Sequence, residues 1–390
     1  MPEPVILAAR RTPIGRFGGS LSKVPAPQLG AIVIKALLDE FPAIKSQVDE
    51  CMMGCVLQAG VGQNPARQAG LLAGLPDTLN AVTVNKVCGS GLQAVMQAAT
   101  GIRAGVNHCV IAGGMENMNL APHMANVRAG VRYGKSELVD HMEADGLTCA
   151  FEKWAMGCAA DHIAKAHTVS REEQDRFSLQ SHQRAAHATK EGWFRKEIVP
   201  LSAEQTKQKV GLDADEGFRA DSSLEALAKL RASFGKDGTV TAGNASQISD
   251  GAAALIVASA EKARSLGIAP MATIVGWNTV GVAPKELFFA PKIGIETLLA
   301  AHNLKVGDVD LFEINEAFAA QVLADIKPLG IPESKLNLGG GGIALGHPIG
   351  ASGARVLTTL LHHMKRTGAK TGVCSLCLGG GNAVSMLVRA

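Results

Sequence analysis

Short apolar runs alternate with helix-period segments over the first 114 residues. Val5-Ile-Leu-Ala, Ala81-Val-Thr-Val and Cys109-Val-Ile-Ala-Gly-Gly predict strands, whereas Gly30-Ala-Ile-Val-Ile-Lys-Ala-Leu-Leu and Leu92-Gln-Ala-Val-Met-Gln-Ala-Ala predict helices. Alternation of the two periods predicts a layered α/β domain. From about Pro122 to Ser246 the texture changes: His, Lys, Glu and Gln become frequent, charges take helical spacing and strand-like runs are few. That stretch reads as an excursion over the surface. Asp250-Gly-Ala-Ala-Ala-Leu-Ile-Val-Ala returns to strand material, and a second α/β stretch begins near Met271.

The two α/β stretches resemble each other. Near Cys88 a strand-like Val-Thr-Val-Asn leads to a small-residue turn, Cys-Gly-Ser-Gly, then a helix, then Val-Ile-Ala-Gly-Gly. Near Ser352 a small-residue turn, Gly-Ala-Ser-Gly-Ala, leads to a helix through Arg355-Val-Leu-Thr-Thr-Leu-Leu and then to Val373-Cys-Ser-Leu-Cys-Leu-Gly-Gly-Gly. Similarity at half-chain length predicts two copies of one unit about a pseudo-twofold axis, so that loops distant in sequence share a site. The expected divisions are a first half over 1–120, completed by 249–270, a loop domain over 121–248, and a second half over 271–390.

Composition sharpens this picture. A chain of 390 residues exceeds what one core organises. Hydrophobic residues at 47% with aromatics at only 4%, beside 44 glycines, predict Val/Ile/Leu/Ala-rich sheets and helices with close backbone approaches. A formal charge of +3 gives no expectation of binding nucleic acid or a membrane surface. The first residues carry neither a basic leader nor a long apolar run, and nothing approaches a membrane span, so a cytoplasmic protein is expected. Eight cysteines spread through such a chain predict reduced thiols, not a disulfide scaffold.

Four segments carry candidate chemistry. Cys88, in Val84-Asn-Lys-Val-Cys-Gly-Ser-Gly, enters a helix start, where free N–H groups and the helix dipole favour a thiolate; a lone cysteine more often reads as buried and structural, and the adjoining glycine turn reverses that preference. His347 lies in Gly346-His-Pro-Ile-Gly, a rigid loop suited to hold a general base. Cys377 lies in Cys374-Ser-Leu-Cys-Leu-Gly-Gly-Gly. With Cys51 and Cys55 it invites a zinc reading, but a strand spacing of three sends Cys374 and Cys377 to opposite faces and no compact finger surrounds them. Asn315, in Glu313-Ile-Asn-Glu-Ala-Phe-Ala, is either a helix N-cap or a carboxamide that orients a water or an enolate oxygen.

Together, Val-Cys-Gly-Ser-Gly, Asn-Glu-Ala-Phe-Ala, Gly-His-Pro-Ile-Gly and Cys-Leu-Gly-Gly-Gly, in that order, resemble the thiolase family over essentially the whole chain. The resemblance implies a duplicated five-layered αβαβα fold with an inserted loop domain. It also implies the activity of an acetyl-CoA C-acetyltransferase: a reversible, non-decarboxylating Claisen condensation of two acetyl-CoA to acetoacetyl-CoA and CoA. By the same resemblance Cys88 carries the acyl group, His347 activates it, and Cys377 shuttles the proton at the α-carbon. One oxyanion site uses His347 and a water held by Asn315, the other the N–H groups of Cys88 and Gly379. Arg219, Phe234, Ser246, Met156, Ala317 and Phe318 match positions that line the CoA and acyl tunnel. No metal or organic cofactor is implied, CoA thioesters being the substrates, and a homotetramer is implied, with Pro122 to Met142 joining dimers. Two departures stand out: Ala155 replaces the histidine usual before Met-Gly, and Pro284-Lys-Glu-Leu-Phe-Phe-Ala-Pro replaces Met-Gly-x-Gly-Pro. Both bear on acyl-chain length, so a broader or longer-chain 3-ketoacyl-CoA thiolase is the nearest alternative. A decarboxylating ketoacyl synthase and a non-catalytic scaffold are more remote.

Overall fold

A computed structural model describes residues 1–128 and 130–390; Ala129, inside the expected loop domain, lies outside the described residues. The first half builds strands β1 (Pro4–Arg11), β2 (Glu50–Gly54), β3 (Asn80–Val84), β4 (Cys109–Asn117) and β5 (Ser249–Ser259). Its helices are α1 (Ala26–Glu40), α2 (Pro65–Leu72) and α3 (Ser90–Arg103). Two helices of the excursion follow, α4 (Met156–Ala166) and α5 (Arg171–Lys190). The second half has β6 (Ala272–Gly281), β7 (Leu311–Ile314), β8 (Thr371–Leu378) and β9 (Asn382–Arg389), with α6 (Ala290–Ala301), α7 (Ala319–Leu329) and α8 (Ile349–Thr367).

The strand orders show the duplication. The first half runs β1-β5-β4-β2-β3, antiparallel across its first two pairings and parallel across the next two. The second runs β6-β9-β8-β7 with the same sequence of directions, and a parallel bridge from Phe312 to Leu336 stands where the fifth strand would be. The halves join edge to edge where Val5 and Ile6 of β1 meet Thr273 and Ala272 of β6.

Side-chain alternation divides the interior into three cores. Val110, Ala112, Leu255 and Val257 face inward with Leu376 and Val384, and α3 and α8 fill the space between the sheets with Leu92, Val95, Leu357 and Leu360. Ile111 and Ile256 point the other way, under Leu29, Ile34 and Leu37 of α1. Val373 and Leu387 do the same under Ile295 and Leu298 of α6 and Val322 of α7. The result is helix, sheet, helix, sheet, helix, as the period-2 strand pattern requires when both faces are buried. Cys374 falls in the central core and Cys377 in the outer one, on opposite faces. Cys51 and Cys55 lie in the remaining core, so the four sulfurs of the zinc reading are dispersed.

Two details differ from the sequence expectation. The segment Gly350-Ala-Ser-Gly-Ala is not a turn but the first helical turns of α8, and Ser90-Gly91 likewise open α3. Their glycines serve helix crossing. A Cβ on Gly91 would strike the backbone of Gly350, Ala351 and Ala354, and one on Gly54 would strike Gly350 and Gly91. The two helices therefore approach at backbone contact, which no larger residue permits. The excursion is tied down by Arg11, fully buried at the end of β1, whose Nε reaches Glu197 at 2.6 Å and whose Nη1 and Nη2 reach Asp215 at 2.6 and 2.9 Å. No helix among the described residues is long and apolar enough to cross a membrane.

Candidate active site

Cys88 and His347 occupy equivalent positions. Each stands two residues before the first residue of its helix, Ser90 of α3 and Ile349 of α8, and the crossing of those helices brings both groups to one cavity. The turn before Cys88 is strained: Val87 takes φ +47°, a left-handed conformation that a β-branched residue rarely adopts. Gly346, before His347, takes φ +114°, and a Cβ there would overlap Ser249. His347 is pinned further by its N–H, which donates to Gln247 O at 3.2 Å and Ser249 Oγ at 3.3 Å.

The imidazole's orientation follows from its neighbours. Ser352 Oγ donates its single hydrogen to Pro348 O at 2.9 Å, so at 2.6 Å from His347 Nδ1 it must accept. Nδ1 then carries the proton and Nε2 presents a lone pair. Burial, with the nearby Arg355 guanidinium, pushes the ring down to about 3, so His347 is unprotonated at neutral pH.

Burial works on Cys88 in the opposite direction. Its sulfur accepts the N–H groups of Cys88 itself and of Gly379, which favour the thiolate, yet desolvation prevails and the thiol is pushed up to about 12. This corrects the expectation that the helix start would depress it. Cys88 precedes α3 instead of lying in its first turn, and two N–H donors do not replace the water it loses. Cys377, at the end of β8, is pushed well above the usual thiol range by burial, then by Cys88 and Asp325. The site therefore holds two thiols and a neutral imidazole.

The cavity measures 740 Å³, and its wall includes Cys88, His347, Cys377 and Gly379 together. Arg219, Phe234, Ser246, Met156, Ala317 and Phe318 line it as well. Phe234 lies across the first turn of α4, where a Cβ on Gly157 would overlap its ring, and it meets Phe318 edge-on at 6.5 Å between centroids. Asn315 is placed differently. It is fully buried behind the imidazole, 3.4 and 3.5 Å from the two ring nitrogens, and takes no part in the cavity wall. Nor does it cap a helix, since Phe318 holds the N-cap of α7. Its Oδ1 faces Arg355 Nη2 at 3.4 Å, and Arg355 Nη1 donates to the buried Glu313 at 3.0 Å.

Several wall residues carry no separate signal in the sequence. Arg16, Phe17 and Gly18 form one side of the cavity, held there by Glu216, whose carboxylate accepts from Arg16 N at 3.1 Å and Ser20 Oγ at 2.5 Å. Phe17 is 59% exposed. Ala155, Leu287 and Phe288 also reach the cavity, so both departures from the family pattern fall on its wall.

A thiol and an imidazole on paired helix starts, a second thiol beside them and two convergent N–H groups, all on a duplicated α/β frame, mark an acyl-transfer site of one family. The chain belongs to the thiolase family: the thiolase N-terminal domain matches residues 4–261 and the thiolase C-terminal domain residues 268–390. It is 53% identical over 389 residues to an acetyl-CoA acetyltransferase of Chromobacterium violaceum, covering 99% of both chains. It is 50% identical over 391 residues to the acetyl-CoA acetyltransferase of Cupriavidus necator, covering 100% of both. The crystal structure of the Bacillus anthracis acetyl-CoA acetyltransferase superimposes with a TM-score of 0.97 at 41% identity, over 100% of this chain and 99% of that one.

Proposed function

We propose that the chain is an acetyl-CoA C-acetyltransferase that makes and cleaves acetoacetyl-CoA through an acyl-cysteine. The observation that carries this reading is the convergence of Cys88, His347, Cys377 and the N–H groups of Cys88 and Gly379 on one cavity. In the cleavage direction Cys88 Sγ attacks the C3 carbonyl as its proton passes to His347 Nε2. The C2–C3 bond breaks, and Cys377, a thiol at neutral pH, protonates C2 to release acetyl-CoA. Free CoA then attacks the acetyl-cysteine, giving its proton to Cys377, while His347 returns a proton to Cys88. Both thiols and the imidazole end as they began. The thioester already acidifies the α-carbon, so the protein supplies only acid, base and oxyanion donors, and no metal or organic cofactor enters these steps. A water between Asn315 and the cavity would complete the oxyanion site at His347. Arg219, and Arg16 across from it, would take phosphates of CoA, with Ser246 and Phe234 along the pantetheine.

Incubation with acetoacetyl-CoA and CoA is expected to remove the enolate absorbance and to do so faster than with longer or α-methylated 3-ketoacyl-CoAs. No loss of absorbance with fresh thiol would defeat the reading. A faster rate on the longer substrates would favour the broader 3-ketoacyl-CoA thiolase, to which Ala155 on the wall gives some room.

The same reading places the enzyme in the cytoplasm as a homotetramer, a dimer of dimers. Its support is the excursion between Pro122 and Met142, where Val127, Tyr133 and Leu138 are 59%, 100% and 68% exposed beside a small hairpin of His123–Met124 and Val139–Asp140. Such an apolar surface suits a subunit contact. Sedimentation velocity is expected to give a tetramer for the native chain and a dimer when Tyr133 and Leu138 are both replaced by serine. A tetramer unaffected by those changes would remove the loop from the interface.

A further inference from the structure

Glu116, at the end of β4, is fully buried and takes no part in the steps above. One carboxylate oxygen accepts the N–H groups of Val56 at 3.0 Å and Gly350 at 2.9 Å. The other accepts Leu57 N–H at 3.2 Å and the Cys55 thiol at 3.6 Å. Three segments thus meet on one side chain: the end of β4, the loop leaving β2, and the first turn of α8, which begins two residues after His347. Contact is close enough that a Cβ on Gly350 would strike Glu116 Oε2. Among the described residues no lysine, arginine or histidine pairs with this carboxylate, although every other donor around it is in place. A buried anion with hydrogen bonds but no cation is expensive to keep, and a fold that keeps one beside a reactive group uses either its geometry or its charge.

Both uses point to the same place. Val56, Leu57, Met118 and Ile349 form an apolar cluster against Cys88, so the loop that Glu116 holds is the floor under the nucleophile. Its charge also reaches the Cys88 thiol and disfavours ionisation there. We propose that Glu116 is a positioning residue of the acyl-transfer site: its carboxylate locks the start of α8, and with it His347, against the floor beneath Cys88. The titratable groups that face it are Cys55 from the β2 loop and Cys88 from the turn before α3; from α8 it receives a backbone N–H. Burial pushes its own carboxyl up to about 7 against the pull of the N–H donors.

Glu116→Gln removes the charge at constant size, and Glu116→Asp keeps it at shorter reach. Two readouts are taken on both: kcat and KM for thiolysis of acetoacetyl-CoA, and the thermal midpoint of unfolding. Glu116→Gln is expected to lower kcat about 10- to 100-fold with little change in KM, because the groups remain but are misplaced. Glu116→Asp, which keeps two acceptor oxygens, is expected to lower kcat less than Glu116→Gln even where its thermal midpoint falls as far. Native kcat in Glu116→Gln overturns the proposal, and so does a loss that falls on KM or that follows the thermal midpoint across the two variants, since a purely structural side chain would act through folding alone. Should Glu116→Gln not fold, native kcat in Glu116→Asp overturns it equally. The proposal rests on Cys88 carrying the acyl group, and the two can fail separately: acyl-enzyme persisting in Cys88→Ala would remove that foundation, whereas a dead Cys88→Ala beside an unaltered Glu116→Gln would remove only the role of Glu116.

Discussion

Cys88→Ala is expected to abolish acyl-enzyme formation, while Cys377→Ala leaves acylation measurable and stops condensation. The asymmetry follows from where each sulfur stands. Cys88 alone receives the N–H groups of residues 88 and 379, the donors that would hold an oxyanion on a carbonyl bonded to it. Cys377 comes from the end of β8, where Leu378 and Gly379 pack against Gly89 and Val87 at the α3 start, and is buried enough to stay a thiol at neutral pH. A thiol protonated at rest has a proton to hand to C2 in cleavage, and the thiolate left behind is a strong base toward the α-proton in condensation. The expected loss in Cys377→Ala condensation is about 10²- to 10⁴-fold, the range for removing a positioned proton-transfer group. Burst labelling by radioactive acetyl-CoA, against steady-state acetoacetyl-CoA formation, separates the half-reactions. Condensation at native rate in Cys377→Ala would strip that residue of its role.

His347→Ala is expected to slow acylation about 10²- to 10⁴-fold and to change the shape of its pH dependence. In the native enzyme the base has been pushed down to about 3 and the thiol up to about 12, so a thiolate–imidazolium pair is disfavoured at rest and the proton must move as sulfur attacks. Because the imidazole stays unprotonated from pH 6 to 9, native acylation is expected to vary little across that range. Without it the reactive species is the free thiolate. Its fraction rises about tenfold per pH unit below the thiol's raised value, so acylation of the variant is expected to climb with that slope. Pre-steady-state acylation from pH 6 to 9 tests this. A variant whose rate stays flat would mean another group takes the Cys88 proton.

Much of the fold was legible because period and position agreed. The runs at Val5, Ala81 and Cys109 became β1, β3 and β4, and the runs at Gly30 and Leu92 became α1 and α3. β2 was harder to see: Glu50-Cys-Met-Met-Gly is short and lacks β-branched residues, and its strand state comes from parallel pairing on both sides. The glycine-rich helix starts were misread as turns, since a glycine needed for close approach of two backbones has the same local signature as one needed for φ > 0. That error also hid the true register of the internal repeat. Matching Cys-Gly-Ser-Gly to Gly-Ala-Ser-Gly-Ala aligns Cys88 with the neighbourhood of Ser352, whereas the helix starts align it with His347. Motifs located the reactive groups, but the sign of the Cys88 shift depended on how much water the finished fold removes, a quantity that no local pattern carries.

The equivalence of Cys88 and His347 has a consequence for how such an enzyme can be assembled at all. Two identical units related by a true axis would present like groups at the crossing: sulfur facing sulfur, open to oxidation into a crosslink, or imidazole facing imidazole with no acid to deprotonate. Tandem copies within one polypeptide are free to diverge at that position, and the joined edges of β1 and β6 fix one nucleophile to one partner in every molecule synthesised.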